Sequence, residues 1–172
     1  MSYTADPGLR VGHVHLKVSD LDRSIAFYRD VLGLEVQQRL GSGAAFLSAG
    51  GYHHHLGLNT WQSCGGSHPP RGATGLYHVA FLYPTRDALG RAVARVVDLG
   101  VPLAGAADHG VSEAVYFDDP DGNGVELYRD RAPEDWPRDA TGALAMSNAP
   151  LDVDGLISQG ARANSLPALT RS

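Results

Sequence analysis

The chain is short of cysteine, of runs of positive charge and of long apolar stretches, and each shortage removes a class of protein. Cys64 is the sole cysteine in 172 residues, so no disulfide can close within one chain and no thiolate cluster can hold a metal. Any metal must be bound through histidine and carboxylate. No apolar run approaches the roughly twenty residues that span a bilayer, and nothing near Met1 resembles a secretion signal. The expectation is therefore a soluble, cytoplasmic protein. With 14 basic and 19 acidic residues the formal net charge is -5, and no Lys/Arg run stands out, which disfavours nucleic acid and anionic membrane surfaces as partners. What is present is ordinary globular composition, 43% hydrophobic and 19% charged, enough to bury one core.

An alternating run from Val11 to Val18 predicts a strand. A helix follows, with Asp20 or Asp22 in capping position, Leu21, Ile25, Tyr28 and Leu32 on one side and Gly33 as its stop. Strand-like runs come next at Leu34–Leu40, Ala44–Ser48 and His53–Trp61, separated by turns at Gly41-Ser42-Gly43 and Gly50-Gly51. The order then repeats. Tyr77–Tyr83 reads as a strand and Arg86–Leu99 as a helix with Leu89, Val93, Val96 and Val97 on its stripe and Gly100 as its stop. Strands are expected at Val101–Ala104, Glu113–Phe117 and Gly124–Arg129, the last two joined by the turn Asp119-Pro120-Asp121-Gly122. Aligning His13 on His78 brings Gly33 near Gly100, and aligning Phe46 on Phe117 puts Gly51 on Gly122 and His55 on Glu126.

Two units of about sixty residues are a duplication. The expected class is α+β: tandem βαβββ modules at about 11–62 and 76–130, joined by a linker at 63–75, forming a curved, barrel-like sheet of eight strands around a metal cavity with helices outside. That domain spans 1–135, and 136–172 is a C-terminal extension with one short helix over Leu151–Gln159 and a loose final dozen residues.

Strand alternation sorts the side chains. Val14, Leu16 and Val18 claim the core, leaving His13, His15 and Lys17 on the other face; Leu56 and Leu58 leave His53, His55, Gly57, Asn59 and Trp61 there, with His54 turned away. In the second module His78, Ala80, Ala114, Tyr116, Glu126 and Tyr128 share the inward face. Such a collection of imidazoles, phenols and a carboxylate is costly to enclose unless it binds something. His13, His78 and Glu126 make the set of two imidazoles and one carboxylate that holds a divalent metal with positions left open, the ligand chemistry of non-haem iron oxygenases that also suits Mn(II), Ni(II) or Zn(II). Tyr28 is read as core and Asp118–Gly122 as a turn.

His13-Val-His15-Leu-Lys-Val, Phe27-Tyr28-Arg-Asp-Val-Leu-Gly33, Gly75-Leu-Tyr-His78-Val-Ala-Phe and Tyr116-Phe-Asp-Asp-Pro-Asp-Gly-Asn-Gly-Val-Glu126-Leu-Tyr128 together resemble the vicinal oxygen chelate superfamily over residues 11–130. Within it the chain is most similar to the catalytic half of extradiol (catechol 2,3-) dioxygenases, and the last of these segments is the specific part. The resemblance implies His13, His78 and Glu126 as metal ligands, Fe(II) as the metal, a small catecholic aromatic and O2 as substrates, and a homodimer. It also implies that Tyr116 hydrogen-bonds a substrate oxygen. Proton transfer needs one more group. His15 is the first choice, with bracing of a ligand as its other reading, and His68 and His109 are loop alternatives. The family's acid/base histidine lies upstream of the second metal histidine, where His68 comes near without matching the spacing. His55, aligned with Glu126, holds the position of a fourth ligand in glyoxalase I relatives; off the metal, it becomes a substrate contact or proton donor. The rival readings are a glyoxalase-like or fosfomycin-resistance-like isomerase, lyase or thiol transferase, and a non-catalytic drug-binding resistance protein.

Overall fold

The computed structural model describes residues 3–70 and 72–164; Arg71 of the expected linker and 165–172 of the expected loose end lie outside them. The chain condenses into two compact units, residues 1–68 and 69–172. In the first, β1 (Val14–Lys17) leads into α1 (Leu21–Leu32), then β2 (Glu35–Leu40), β3 (Ala44–Ser48) and β4 (Leu56–Asn59). The Asp20 carboxylate accepts the Arg23 N–H and so starts α1. Gly33 ends it at φ 72°, a left-handed conformation that lets its N–H donate back to the Arg29 carbonyl. Leu21, Ile25, Tyr28 and Val31 are the buried apolar face of this helix.

The second unit repeats the plan with β5 (Val79–Leu82), α2 (Arg86–Asp98), β6 (Leu103–Asp108), β7 (Ser112–Asp118) and β8 (Gly124–Asp130). Thr85 caps α2 by accepting the Ala88 N–H. After β8 the chain makes a short 3-10 turn at Pro133–Asp135, a two-residue strand β9 (Ala149–Pro150) and α3 (Val153–Asn164). The short helix expected over Leu151–Gln159 is thus a twelve-residue one. It touches α2 backbone to backbone: a Cβ on Gly90 would lie 2.3 Å from the Leu156 carbonyl oxygen, and one on Gly160 would lie 2.6 Å from the Arg91 nitrogen. Leu89 and Leu156 are fully buried, and Gln159 bridges Arg86 and Asp87 at the start of α2.

In place of one curved sheet of eight strands, hydrogen bonding makes two sheets, β1-β4-β3-β2 and β5-β8-β7-β6-β9. Each module completes its own ladder, because its first strand pairs in parallel with its last: Val14 with Leu56 in one, Val79 with Val125 in the other. The core lies where alternation puts it, with Leu16, Val18, Leu56 and Leu58 buried in the first unit and Val79, Val115, Phe117, Val125 and Leu127 in the second. On that core face of the second unit sits one charge cluster. Glu113, 5% exposed, accepts from Arg86 and Arg129, with Arg131 at 3.5 Å. Among the described residues no helix is long and apolar enough to cross a membrane.

Candidate active site

On the opposite face of the second sheet the ladder fixes four side chains. Tyr116 stands directly across from Glu126 in the antiparallel β7–β8 pair, while Ala80 stands beside Glu126 in the parallel β5–β8 pair. His78, two residues before Ala80, therefore falls on the same face. Its Nε2 lies 2.8 Å from one oxygen of Glu126, a carboxylate only 8% exposed. The Tyr116 hydroxyl lies 3.1 Å from the other oxygen and 2.8 Å from Nε2 of His109. His78, Glu126, Tyr116 and His109 thus form a continuous polar chain. His78, His109 and Tyr116 line a cavity of about 370 Å³ with Gly105 and Asn148. Burial pushes the Tyr116 phenol up to about 12, with the Glu126 charge and hydrogen bond adding to it, so the phenol keeps its proton and can serve as a donor. Tyr128, on the same face, is raised by burial and by Asp130 and Glu126.

Gly124 makes this arrangement possible. It is the neighbour of His78 across the parallel pair, and a Cβ there would lie 2.2 Å from the Tyr77 carbonyl oxygen and 3.1 Å from the His78 Cβ. Backbone must move to admit it. Gly124→Ala is expected to cost about 1–3 kcal/mol of unfolding free energy, read from urea denaturation. Gly105→Ala, whose Cβ meets only the edge of Tyr116 at 4.0 Å, should stay close to the parent.

The first unit carries a different set. The His13 ring lies against that of His54, centroids 4.4 Å apart and planes inclined by 49°, and His54 also meets Phe46 at 5.0 Å and His53 at 4.6 Å. His54 was expected to turn away from His13. The strand assigned to His53–Trp61 begins only at Leu56, so alternation does not govern residues 53–55. His15 lies against Phe46 and Trp61, its pKa lowered by burial and then by the charge of His13. Gly57 opposite is what admits the ring, since a Cβ there would be 2.8 Å from it.

The register also corrects the internal alignment. His13 and His78 each precede the first paired residue of their strand, so Leu56 corresponds to Val125 and Gly57, not His55, corresponds to Glu126. Phe46, paired with Gly57, corresponds to Tyr116 rather than to Phe117. The first unit has therefore kept the imidazole and lost the carboxylate and phenol. His55 sits in the approach to β4, where the Ala49 N–H donates to its Nδ1 at 3.3 Å and its ring lies 4.8 Å from that of Tyr52. A fourth ligand at the repeat counterpart of Glu126 loses its basis.

Among the described residues, neither unit by itself gathers three His, Cys, Asp or Glu side chains into a metal-holding group. The second unit brings together His78 and Glu126, and His13 stands at the matching strand position of the first. An imidazole nitrogen beside a buried carboxylate is a donor pair that fits a divalent cation. His68 is in the connection between modules. His109 proves better placed than its loop position suggested, because the β6–β7 hairpin is longer than expected and His109 occupies its tight turn, donating its N–H to the Ser112 carbonyl. No sequence signal pointed to Asn148.

A family model described as the Glyoxalase/Bleomycin resistance protein/Dioxygenase superfamily matches residues 10–127. The chain belongs to this superfamily. Among its relatives, the catechol-2,3-dioxygenase of Bacillus subtilis (strain 168) is 40% identical over 159 residues, covering 91% of this chain and 55% of that protein. Biphenyl-2,3-diol 1,2-dioxygenase 3 of Rhodococcus globerulus is 34% identical over 123 residues, 70% of this chain and 63% of that one. The chain thus spans somewhat more than half the length of these curated relatives. Of solved structures, a lactoylglutathione lyase from Agrobacterium tumefaciens matches with a TM-score of 0.57 at 29% identity, over 72% of this chain and 96% of that one. The paired βαβββ units are the superfamily's architecture in this chain.

Proposed function

We propose that this superfamily member is an extradiol-type dioxygenase that cleaves the ring of a small catecholic aromatic with O2, holding Fe(II) through His13, His78 and Glu126. The observation that carries the reading is the polar chain of the second unit: a carboxylate with an imidazole on one oxygen and a phenol, itself backed by a second imidazole, on the other. The naming of two relatives as catechol-type dioxygenases supports it. When bound, Fe(II) supplies Lewis acidity and the one-electron chemistry that O2 requires.

The chain's own contribution is proton placement and orientation. A catechol binds with loss of protons, and a group must receive and later return one. Tyr116 has a single hydroxyl hydrogen for two acceptors. Nδ1 of His109 lies 2.9 Å from the Ser147 carbonyl, which can only accept, so Nδ1 carries a proton. With His109 neutral, Nε2 accepts the phenol hydrogen. With His109 protonated, Nε2 donates to the phenol oxygen and the hydroxyl turns to Glu126. The two arrangements differ by one proton, and His109 lines the same cavity as His78. We therefore give the acid/base role to His109 and the substrate hydrogen bond to Tyr116. For His15, packed over Gly57 between Phe46 and Trp61, we propose the bracing of the first unit's histidines. The working form we propose is a cytoplasmic homodimer.

Tyr116→Phe removes the switchable hydroxyl and is expected to lower kcat by roughly 10²-fold, with iron content unchanged. The proposal itself is tested by anaerobic purification with metal analysis and oxygen-electrode assays over a catechol panel. Iron with one O2 consumed per catechol is the expected result. The likeness to lactoylglutathione lyase favours a second reading, Lewis-acid isomerisation. Protein that turns over without O2 when loaded with nickel or zinc, and leaves catechols untouched, replaces the first reading with this one.

A further inference from the structure

His109 belongs to no strand, and its ring is held by residues far along the chain. Ser147 meets this turn in three ways: its N–H donates to the His109 carbonyl at 3.0 Å, its hydroxyl donates to the Asp108 carbonyl at 3.2 Å, and its own carbonyl accepts from Nδ1 of His109 at 2.9 Å. β9 extends the contact by pairing Ala149 with Asp108 and Pro150 with Ala107. Both flanks of the segment are anchored. Upstream, Pro137 packs on Gly110, where a Cβ would lie 2.8 Å from its ring, and Arg131 pairs with Asp108 at 2.7 Å. Downstream, α3 is seated on α2 through Gly90 and Gly160. Among the described residues the first sheet gains no such added strand. Its edge strand β2 is exposed at all six residues, whereas the corresponding β6 is covered by β9. The added segment serves the unit that kept the carboxylate and the phenol.

The hydrogen bond on one imidazole nitrogen decides the state of the other. With a carbonyl at Nδ1, the neutral ring must place its hydrogen there and present a bare Nε2 to Tyr116. We propose that residues 131–164 are an orienting strap for the site, in which the main-chain carbonyl of Ser147 is the positioning group that fixes His109 as the Nδ1–H tautomer and aims Nε2 at the Tyr116 hydroxyl. This rests on the reading of His109 and Tyr116 as the proton-transfer pair. Asn148, the next residue, enters the cavity wall by the same means.

The test is long-range proton–nitrogen correlation NMR on the full-length chain labelled with nitrogen-15 at histidine, the His109 signals being those missing from His109→Gln. The parent is expected to show Nδ1 protonated and Nε2 bare in the neutral ring. Ser147→Pro deletes the N–H that ties the strap to the turn, and should move the ring to the Nε2–H form or a mixture. It should also lower kcat on catechol roughly 10- to 100-fold with a much smaller change in KM. Met146→Ala, an exposed neighbour on the strap, should keep the parent tautomer and rate. An Nε2–H ring in the parent overturns the proposal, and this measurement stands even if Ser147→Pro does not fold. A folded Ser147→Pro protein with the parent tautomer, or with an altered tautomer and unaltered kcat, overturns it too. A strap-dependent Nδ1–H ring in a protein that cleaves no catechol instead sinks the dioxygenase reading and leaves the strap in place.

Discussion

Glu126→Ala is expected to leave the protein without bound iron and without measurable catechol-dependent O2 uptake. Glu126 is the one residue that touches both halves of the proposed chemistry: one oxygen meets the His78 imidazole and the other the Tyr116 hydroxyl. Alanine removes an anionic ligand and the second partner of the phenol at once. A metal ion is worth several kcal/mol of charge stabilisation in a reaction of this kind, so kcat/KM should fall by roughly 10³-fold or more. Folding should be less affected, since the residue lies on the cavity face rather than among the buried apolar side chains of β7 and β8. The measurement pairs metal analysis after dialysis with oxygen-electrode rates and a thermal melt. A variant that keeps both its iron and its turnover would remove Glu126 from the ligand set and with it the dioxygenase proposal.

The largest effect on stability is expected at Glu113, in β7 on the opposite face of the same sheet. Its carboxylate is the common partner of Arg86 from α2, Arg129 from β8 and Arg131 beyond it. All three guanidinium groups are mostly covered, and Nε of Arg131 already lacks a hydrogen-bond partner. Glu113→Leu leaves Arg86 and Arg129 without their carboxylate near the contact between α2 and α3, where Arg86 also reaches Gln159, while Arg131 keeps Asp108. Breaking a buried pair from one side costs about 3–5 kcal/mol, and the denaturation midpoint of the second unit should fall accordingly. Replacing Arg129 alone should cost less, because Arg86 still holds the carboxylate. A loss for Glu113→Leu below about 1 kcal/mol would mean that the guanidinium groups are already hydrated as surface ion pairs are.

Much of the site could be read from alternation alone. Val79, Val115, Phe117, Val125 and Leu127 are buried where the two-residue period puts them, and that period forces His78, Tyr116 and Glu126 onto one face. The helix boundaries were equally local, set by Asp20, Thr85 and the left-handed Gly33. What alternation could not supply is the point at which it starts. Counting β4 from His53 instead of Leu56 moved His54 to the wrong side of the ring cluster, and carrying the alignment of Phe46 on Phe117 into the last strand matched His55, instead of Gly57, to Glu126. The strand start depends on parallel pairing with β1, more than forty residues earlier, which no window of sequence contains.

The sequence by itself determined the α+β class and the duplicated module, because these follow from side-chain type and short-range periodicity, and its motifs carried the resemblance to the superfamily. Only tertiary structure decided that the ladders close as two sheets, that Tyr116 is backed by His109, and that a segment past the last module strand holds the His109 ring. The closing of the ladders and the hold on the His109 ring depend on hydrogen bonds between groups distant in the chain. Such bonds form where two backbones have already been brought together by burial, and the linear order of residues carries no record of that meeting.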